Sequence, residues 1–256
     1  MFFVLKLHKN FKKCLNSRCF MKKAFSSLGR TDIIVWCISV LLIVISYFLS
    51  PDRGLMNSIT SLLGVTAIIF VARGQVLGQV LLASFAVLYG IVSYFQSYYG
   101  ETAICIFLSL PLAAFAIITW YKNPYEDSGE VSIRRLKGRD MLMLLPLTAI
   151  VTTFMYFLLS YIGTGNIVWS TFSIATSFLA AGLTVLRSPY FALGYVFNDI
   201  VLIVLWITAA LSDPSAVSMV FCFLGFLLND SYSFVCWRIR EKKQKRHKKQ
   251  RQSRGL

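Results

Sequence analysis

The sequence predicts an all-α integral membrane protein of eight transmembrane helices, arranged 1+3+1+3. Three observations carry that prediction. Of 256 residues, 57% are hydrophobic and only 14% charged, and mean hydropathy is +0.66. A soluble domain has no interior large enough for that much apolar surface, so the bilayer is the expected solvent. The apolar residues also fall into eight runs close to the ~20 residues that a spanning helix needs. Finally, the basic residues are segregated. The net charge is +15, yet the charge crowds into the two tails and one loop rather than forming a nucleic-acid-reading module.

The elements follow in order. Residues 1–31 form a basic tail without a signal-peptide cleavage pattern, read as cytosolic. An extra N-terminal span occupies 32–50. A first three-helix repeat over 55–121 contains runs at 55–73, 76–97 and 102–121, and its joints are "RGQ" and "SYYGE". The 122–139 loop, "KNPYEDSGEVSIRRLKGR", leads to a linking span at 140–162. The second repeat, 166–237, contains runs at 166–186, 189–211 and 215–237, and residues 238–256 form a basic tail. With both termini placed in the cytosol, 25 of the 26 Lys and Arg residues lie on that face, and only Arg53 lies outside. An even number of spans satisfies the positive-inside rule; an odd number would split the tails. Arg73 recurs as Arg187 and Trp120 as Trp237, at offsets of 114 and 117 residues. Three spans plus one linking span make an even step, so the triplets are parallel, a design in which substrate sites lie between the halves.

Polar residues at membrane depth point to function, because each costs several kcal/mol and needs a cavity or a partner. "GYVFNDIVLIVLW" holds Asn198, Asp199 and Trp206; "NDSYSFVCW" holds Asn229, Asp230 and Trp237. At a rise of about 1.5 Å per residue, Asp199 lies about 15 Å beyond Pro189, near the midplane. Tyr195 and Trp206 share its helical face. For Asn198 and Asp199 a cavity-lining role is favoured over a helix–helix bond, whereas the two roles are balanced for Asn229 and Asp230. The same rise sets Asp230 about 22 Å from the outer surface, in the inner third. Trp206 is too deep for an interface, which leaves ring stacking on a substrate or plain packing. Trp120 and Trp237 are expected as interface anchors.

"NIVWSTFSIATSF" places Ser170, Ser173 and Ser177 on one face, for close helix approach or a polar path. Gln79, Tyr89 and "SYYGE" offer further hydrogen-bond partners, and Pro111 is expected to kink its span. No catalytic pair, phosphate loop or metal-ligand spacing is present: six Cys are scattered, and His8 and His247 lie in the tails. The chain therefore reads as a non-enzyme without a cofactor.

At "RSPYFALGYVFNDIVLIVLWITA" and "FCFLGFLLNDSYSFVCW" the chain resembles the PnuC family of bacterial vitamin transporters, in its Firmicute branch. "SYYGE", "SLPLAAFAIITWYKNPYE" and "TGNIVWSTFSIATSFLAAGLTVLRSPY" extend the match over residues 55–238. The resemblance implies uptake of nicotinamide riboside, an NAD precursor, across the cytoplasmic membrane by facilitated diffusion, with trapping by cytosolic phosphorylation. It implies a 3+1+3 fold related to the SWEET sugar transporters but with full-length parallel repeats, a homotrimer, and an additional N-terminal helix as some members carry. Older naming calls such proteins nicotinamide mononucleotide transporters, and relatives carry thiamine, riboflavin or deoxynucleosides. Asn198, Trp206, Asn229, Tyr89 and Trp120 occupy the stretches that match the family's nucleoside-binding motifs. The chain departs from the family at "GQVLGQ", where many members read GKxxNY; Gly78 takes the Asn position, with Gln79 beside it.

The physics suits a cationic nucleoside. Trp206 would stack on its ring, for about 0.5–2 kcal/mol of cation–π attraction, and Asp199 would balance its charge. No basic cluster lies at membrane depth, so the riboside is expected over the mononucleotide. A transporter of another vitamin or nucleoside is the nearest alternative, and a non-transporting membrane scaffold the more distant one.

Overall fold

A computed structural model describes residues 28–49, 55–95, 99–126, 129–163, 166–212 and 214–253. The basic tail up to residue 27, Arg53, and Ser97 and Tyr98 of "SYYGE" lie outside the described residues. The helices are α1 (Arg30–Leu49), α2 (Leu55–Ala72), α3 (Val76–Phe95), α4 (Tyr99–Ile104), α5 (Leu110–Lys122), α6 (Gly138–Ile162), α7 (Ile167–Val185), α8 (Tyr190–Ala210) and α9 (Val217–Ser253). A π-helical turn, Cys105–Ser109, joins α4 to α5. The wide turn ends just before Pro111, whose ring cannot sit in a regular helix interior. With α4 and α5 counted as one span, eight helices among the described residues are long and apolar enough to cross a membrane.

The exterior is apolar. Phe95, Phe107, Ile150, Phe154, Phe157 and Tyr161 are all exposed, as lipid-facing side chains are. The interior is built from two triplets, α2–α3–α5 and α7–α8–α9, which touch through α9 against α2 and α5 against α7. The linking helix α6 packs mainly on α7 and leaves most of its surface outward. Within the first triplet Gly78 lets α3 press on α2: a Cβ there would meet the Val71 backbone nitrogen at 2.5 Å.

The extra helix α1 lies against α9 and α2. Asp32, fully buried, fixes it. It takes Arg73 as a salt-bridge partner, and the Tyr232 hydroxyl donates to Asp32 Oδ1 at 2.7 Å. Trp36 Nε1 donates to Thr66 Oγ1 at 3.0 Å higher on the same interface.

At the basic end of the bundle the residues after α5 form a strap rather than a free loop. Val131 N donates to Gly74 O at 2.8 Å in the α2–α3 joint, and Arg134 N donates to Arg187 O at 3.1 Å in the α7–α8 joint. Gly74 and Arg187 both have left-handed backbones, φ 67° and 57°. Burial, and then the nearby Arg134 charge, lower the Arg187 guanidinium from its ordinary value.

The last helix does not stop where the apolar run ends at Trp237. It continues without a break from the span to Ser253. Arg240 NH2 donates to Ala72 O at 3.2 Å and its Nε pairs with Glu130 at 3.1 Å. Gln244 accepts from Ile133 N at 2.9 Å and donates to Val131 O at 3.2 Å. Helix-favouring Lys, Arg, Gln and Glu residues carry the helix beyond the apolar run, and the strap gives its buried face partners.

The two tryptophans expected as interface anchors are not at an interface. Trp120 and Trp237 are each 0% exposed, and their ring centroids are 5.3 Å apart. Trp120 Nε1 donates to Thr184 O at 2.9 Å, and Trp237 Nε1 donates to Val71 O at 2.9 Å. Each triplet thus places its tryptophan against the first helix of the other. Phe191 completes the layer, 4.8 Å from Trp237 and nearly perpendicular to it. Tertiary packing found indole partners inside the protein, so neither ring needs the headgroup region.

Candidate functional site

Between the two triplets lies a cavity of about 170 Å³. Helices α3, α4, α7, α8 and α9 all contribute side chains, so no single segment defines it. Of the residues singled out in the sequence, Gln79, Tyr89, Ser173, Ser177, Tyr195, Asn198, Asp199 and Asp230 line this cavity. The hydroxyl face of α7 is turned toward α8. Thr176 Oγ1 donates to Asn198 Oδ1 at 2.9 Å, and Ser173 Oγ approaches the same oxygen at 3.5 Å. Ser177 Oγ returns to Ser173 O at 2.6 Å, an in-helix bond open to hydroxyls in apolar surroundings.

Asp199 and Asp230 meet. Both residues are buried and line the same cavity as close neighbours. Sequence reasoning separated them in depth because it ended the last span at Trp237. The helix runs on, and its level is set by Arg240, bonded to Ala72 at the basic end. Counted from Arg240, Asp230 lies about 15 Å in; counted from Tyr190, Asp199 lies about 14 Å in. The two Asn-Asp pairs of adjacent antiparallel helices therefore converge on one level. Asp199 Oδ2 and Gln79 Nε2 are buried without a hydrogen-bond partner among the described residues. An unmet buried donor and acceptor carry a desolvation cost that a polar ligand can relieve.

Trp120, Trp206 and Asn229, in the stretches that match the family's motifs, do not line the cavity. Trp120 belongs to the aromatic layer described above. Trp206, 1% exposed, packs among Leu202, Leu205, Met219 and Phe223. Asn229, fully buried, lies beside Asp230, and neither its Oδ1 nor its Nδ2 has a hydrogen-bond partner among the described residues.

Sequence reasoning missed two features. Glu101 falls within the joint "SYYGE" by composition, but α4 begins at Tyr99 and puts it in the first helical turn, facing the cavity. Tyr89 hydroxyl donates to Glu101 Oε2 at 3.4 Å. The signal was an acidic residue heading an apolar run, where the helix dipole favours it. The second feature is an aromatic wall. Phe85 and Tyr89, four residues apart on α3, have nearly parallel rings 5.5 Å apart, and Phe226 abuts Phe85 edge-on at 5.4 Å. Their i, i+4 spacing was the available sign.

The cavity lining contains Glu101, Asp199 and Asp230 and no Lys, Arg or His. No cluster of three or more potential metal ligands occurs among the described residues. A multi-pass helical bundle with an acidic, part-aromatic cavity between two triplets is the architecture of a small-molecule membrane transporter. The chain belongs to the nicotinamide mononucleotide transporter family, whose sequence model matches residues 54–239. It is 24% identical over 210 residues to the nicotinamide riboside transporter PnuC of Neisseria mucosa, covering 79% of each chain. Its fold matches a crystal structure described as the vitamin B3 transporter PnuC. The TM-score is 0.77 at 19% identity, over 90% of this chain and all of the other.

Proposed function

We propose that this protein takes up nicotinamide riboside across the cell membrane, with the cavity between the triplets as its binding site. The observation that carries the substrate is the charge of the lining: three carboxyls and no basic side chain. Nicotinamide riboside bears a cationic pyridinium ring and no phosphate. The mononucleotide adds a phosphate dianion, which an acidic, desolvated cavity repels. The family's description names the mononucleotide and the Neisseria mucosa relative's name the riboside. The lining sides with the riboside.

The unpartnered Gln79 Nε2 and Asp199 Oδ2 suit ribose hydroxyls, which both accept and donate. Parallel three-helix repeats over 55–121 and 166–237, joined by the linking helix, are supported by the reciprocal bonds Trp120–Thr184 and Trp237–Val71. The strap engages Gly74 and Arg187 in the same way, consistent with the same repeat. Charge supports cytosolic termini, with 25 of 26 basic residues on one side. Transport runs by facilitated diffusion with phosphorylation trapping the product, in a homotrimer whose protomers each carry a path.

The test is equilibrium binding to the purified protein. Riboside should bind at least about tenfold more tightly than the mononucleotide, a difference of about 1.4 kcal/mol. Equal or reversed affinities would remove the riboside reading. Thiamine, riboflavin and a deoxynucleoside complete the panel; tighter binding of any of these would reassign the substrate.

A further inference from the structure

The cavity has two chemically different ends, and its carboxyls are not equivalent. Asp199 and Asp230 are neighbours in the lining, which the carboxamides of Gln79 and Asn198 share. Glu101 stands apart from that pair, at the head of α4. Among the described residues it has no salt-bridge partner, and the Tyr89 hydroxyl reaches it over 3.4 Å. Tyr89 is also half of the stacked Phe85–Tyr89 wall. One aromatic face and one singly held carboxylate therefore border the same part of the cavity. Along α3, Tyr89 is ten residues from Gln79, so the aromatic and carboxamide ends are separated by about 15 Å of helix.

We propose that Glu101 is the specificity-determining counter-charge for a cationic heteroaromatic ring held against the Phe85–Tyr89 wall, with the sugar directed toward Asp199, Asp230 and Gln79. This rests on the riboside reading and assigns the ring to a different carboxylate and a different aromatic surface from those expected in the sequence, Asp199 and Trp206. The physical reason is additive. A cation over an aromatic face is attracted by the ring quadrupole, and a carboxylate in the same water-poor space adds a direct Coulomb attraction. An uncharged ring of the same shape gains neither.

The experiment compares two ligands on the purified full chain by calorimetry: nicotinamide riboside and its dihydro form, which has the same sugar and an uncharged ring. The wild type should prefer the cationic ring by about tenfold. Glu101→Gln should weaken cationic-ring binding by about tenfold and change dihydro-ring binding less than about twofold, erasing the preference. Glu101→Asp should retain part of it. Size-exclusion profile and melting temperature establish that each variant assembles, and Phe85→Leu gives a second route to the same preference if Glu101→Gln does not. An unaltered preference in both Glu101→Gln and Phe85→Leu overturns the assignment and leaves the riboside reading standing. Equal wild-type affinity for the two ring forms does the same. Failure of both forms to bind the wild type overturns the riboside reading and this inference together.

Discussion

The indole rings of Trp120 and Trp237, 117 residues apart in sequence, lie 5.3 Å apart, and each donates its N–H to a backbone carbonyl of the opposite triplet. The two rings with Phe191 form a layer between the cavity and the strap. The accepting residues, Val71 and Thr184, each stand three residues before the left-handed joint residue, Gly74 or Arg187. Cavity floor, joints and strap are thus one connected assembly.

Trp237→Phe keeps an aromatic ring in that layer and deletes the hydrogen bond to Val71. Loss of a buried bond costs about 1–3 kcal/mol, so the melting temperature in detergent should fall clearly. A headgroup anchor would tolerate the same change. An unaltered melting temperature would restore the interface reading.

Trp206 packs outside the cavity, so Trp206→Phe should lower stability slightly and leave riboside affinity within about twofold, less than the tenfold that 1.4 kcal/mol represents. Titration calorimetry on the variant decides between packing and stacking.

Gln79→Leu should move stability and binding in opposite directions. The substitution removes a buried donor that has no partner among the described residues, so stability should hold or rise. If that donor meets the sugar, affinity should drop by about tenfold, the worth of one well-placed bond. A joint fall in both quantities would mean that Gln79 is structural.

Asp32→Asn tests the tether of the extra helix. Arg73 and Tyr232 both lose a charged acceptor, at a cost of about 1–3 kcal/mol. Protease cleavage between α1 and α2 should accelerate while riboside binding persists, because no α1 residue lines the cavity. Cleavage no faster than that of the wild type would show that the remaining packing of α1 on α9 and α2, with the Trp36–Thr66 bond, holds it without Asp32.

Half of the site was legible one residue at a time. Asn198, Asp199 and Asp230 announced themselves because a polar side chain in an apolar run has few reasons to be there. Glu101 sat at the edge of its run and was absorbed into a joint. Composition misplaces the level of Asp230 because the apolar run ends near Trp237 while the helix does not. A helix continues wherever backbone bonds and neighbours sustain it, and here the strap supplies neighbours to Arg240 and Gln244.

By itself the sequence determined the solvent, the number of spans and which buried polar groups needed explaining. These follow from transfer free energies that act on each segment separately. Only the tertiary structure decided which of those groups meet. Asp199 neighbours Asp230 in the cavity lining, Glu101 faces the Phe85–Tyr89 wall, and Trp206 is left outside, because helix rotation and depth are set by packing between segments distant in the chain. A helix rotation of some tens of degrees exchanges a cavity-lining side chain for a packed one, and no periodicity within one helix records that choice.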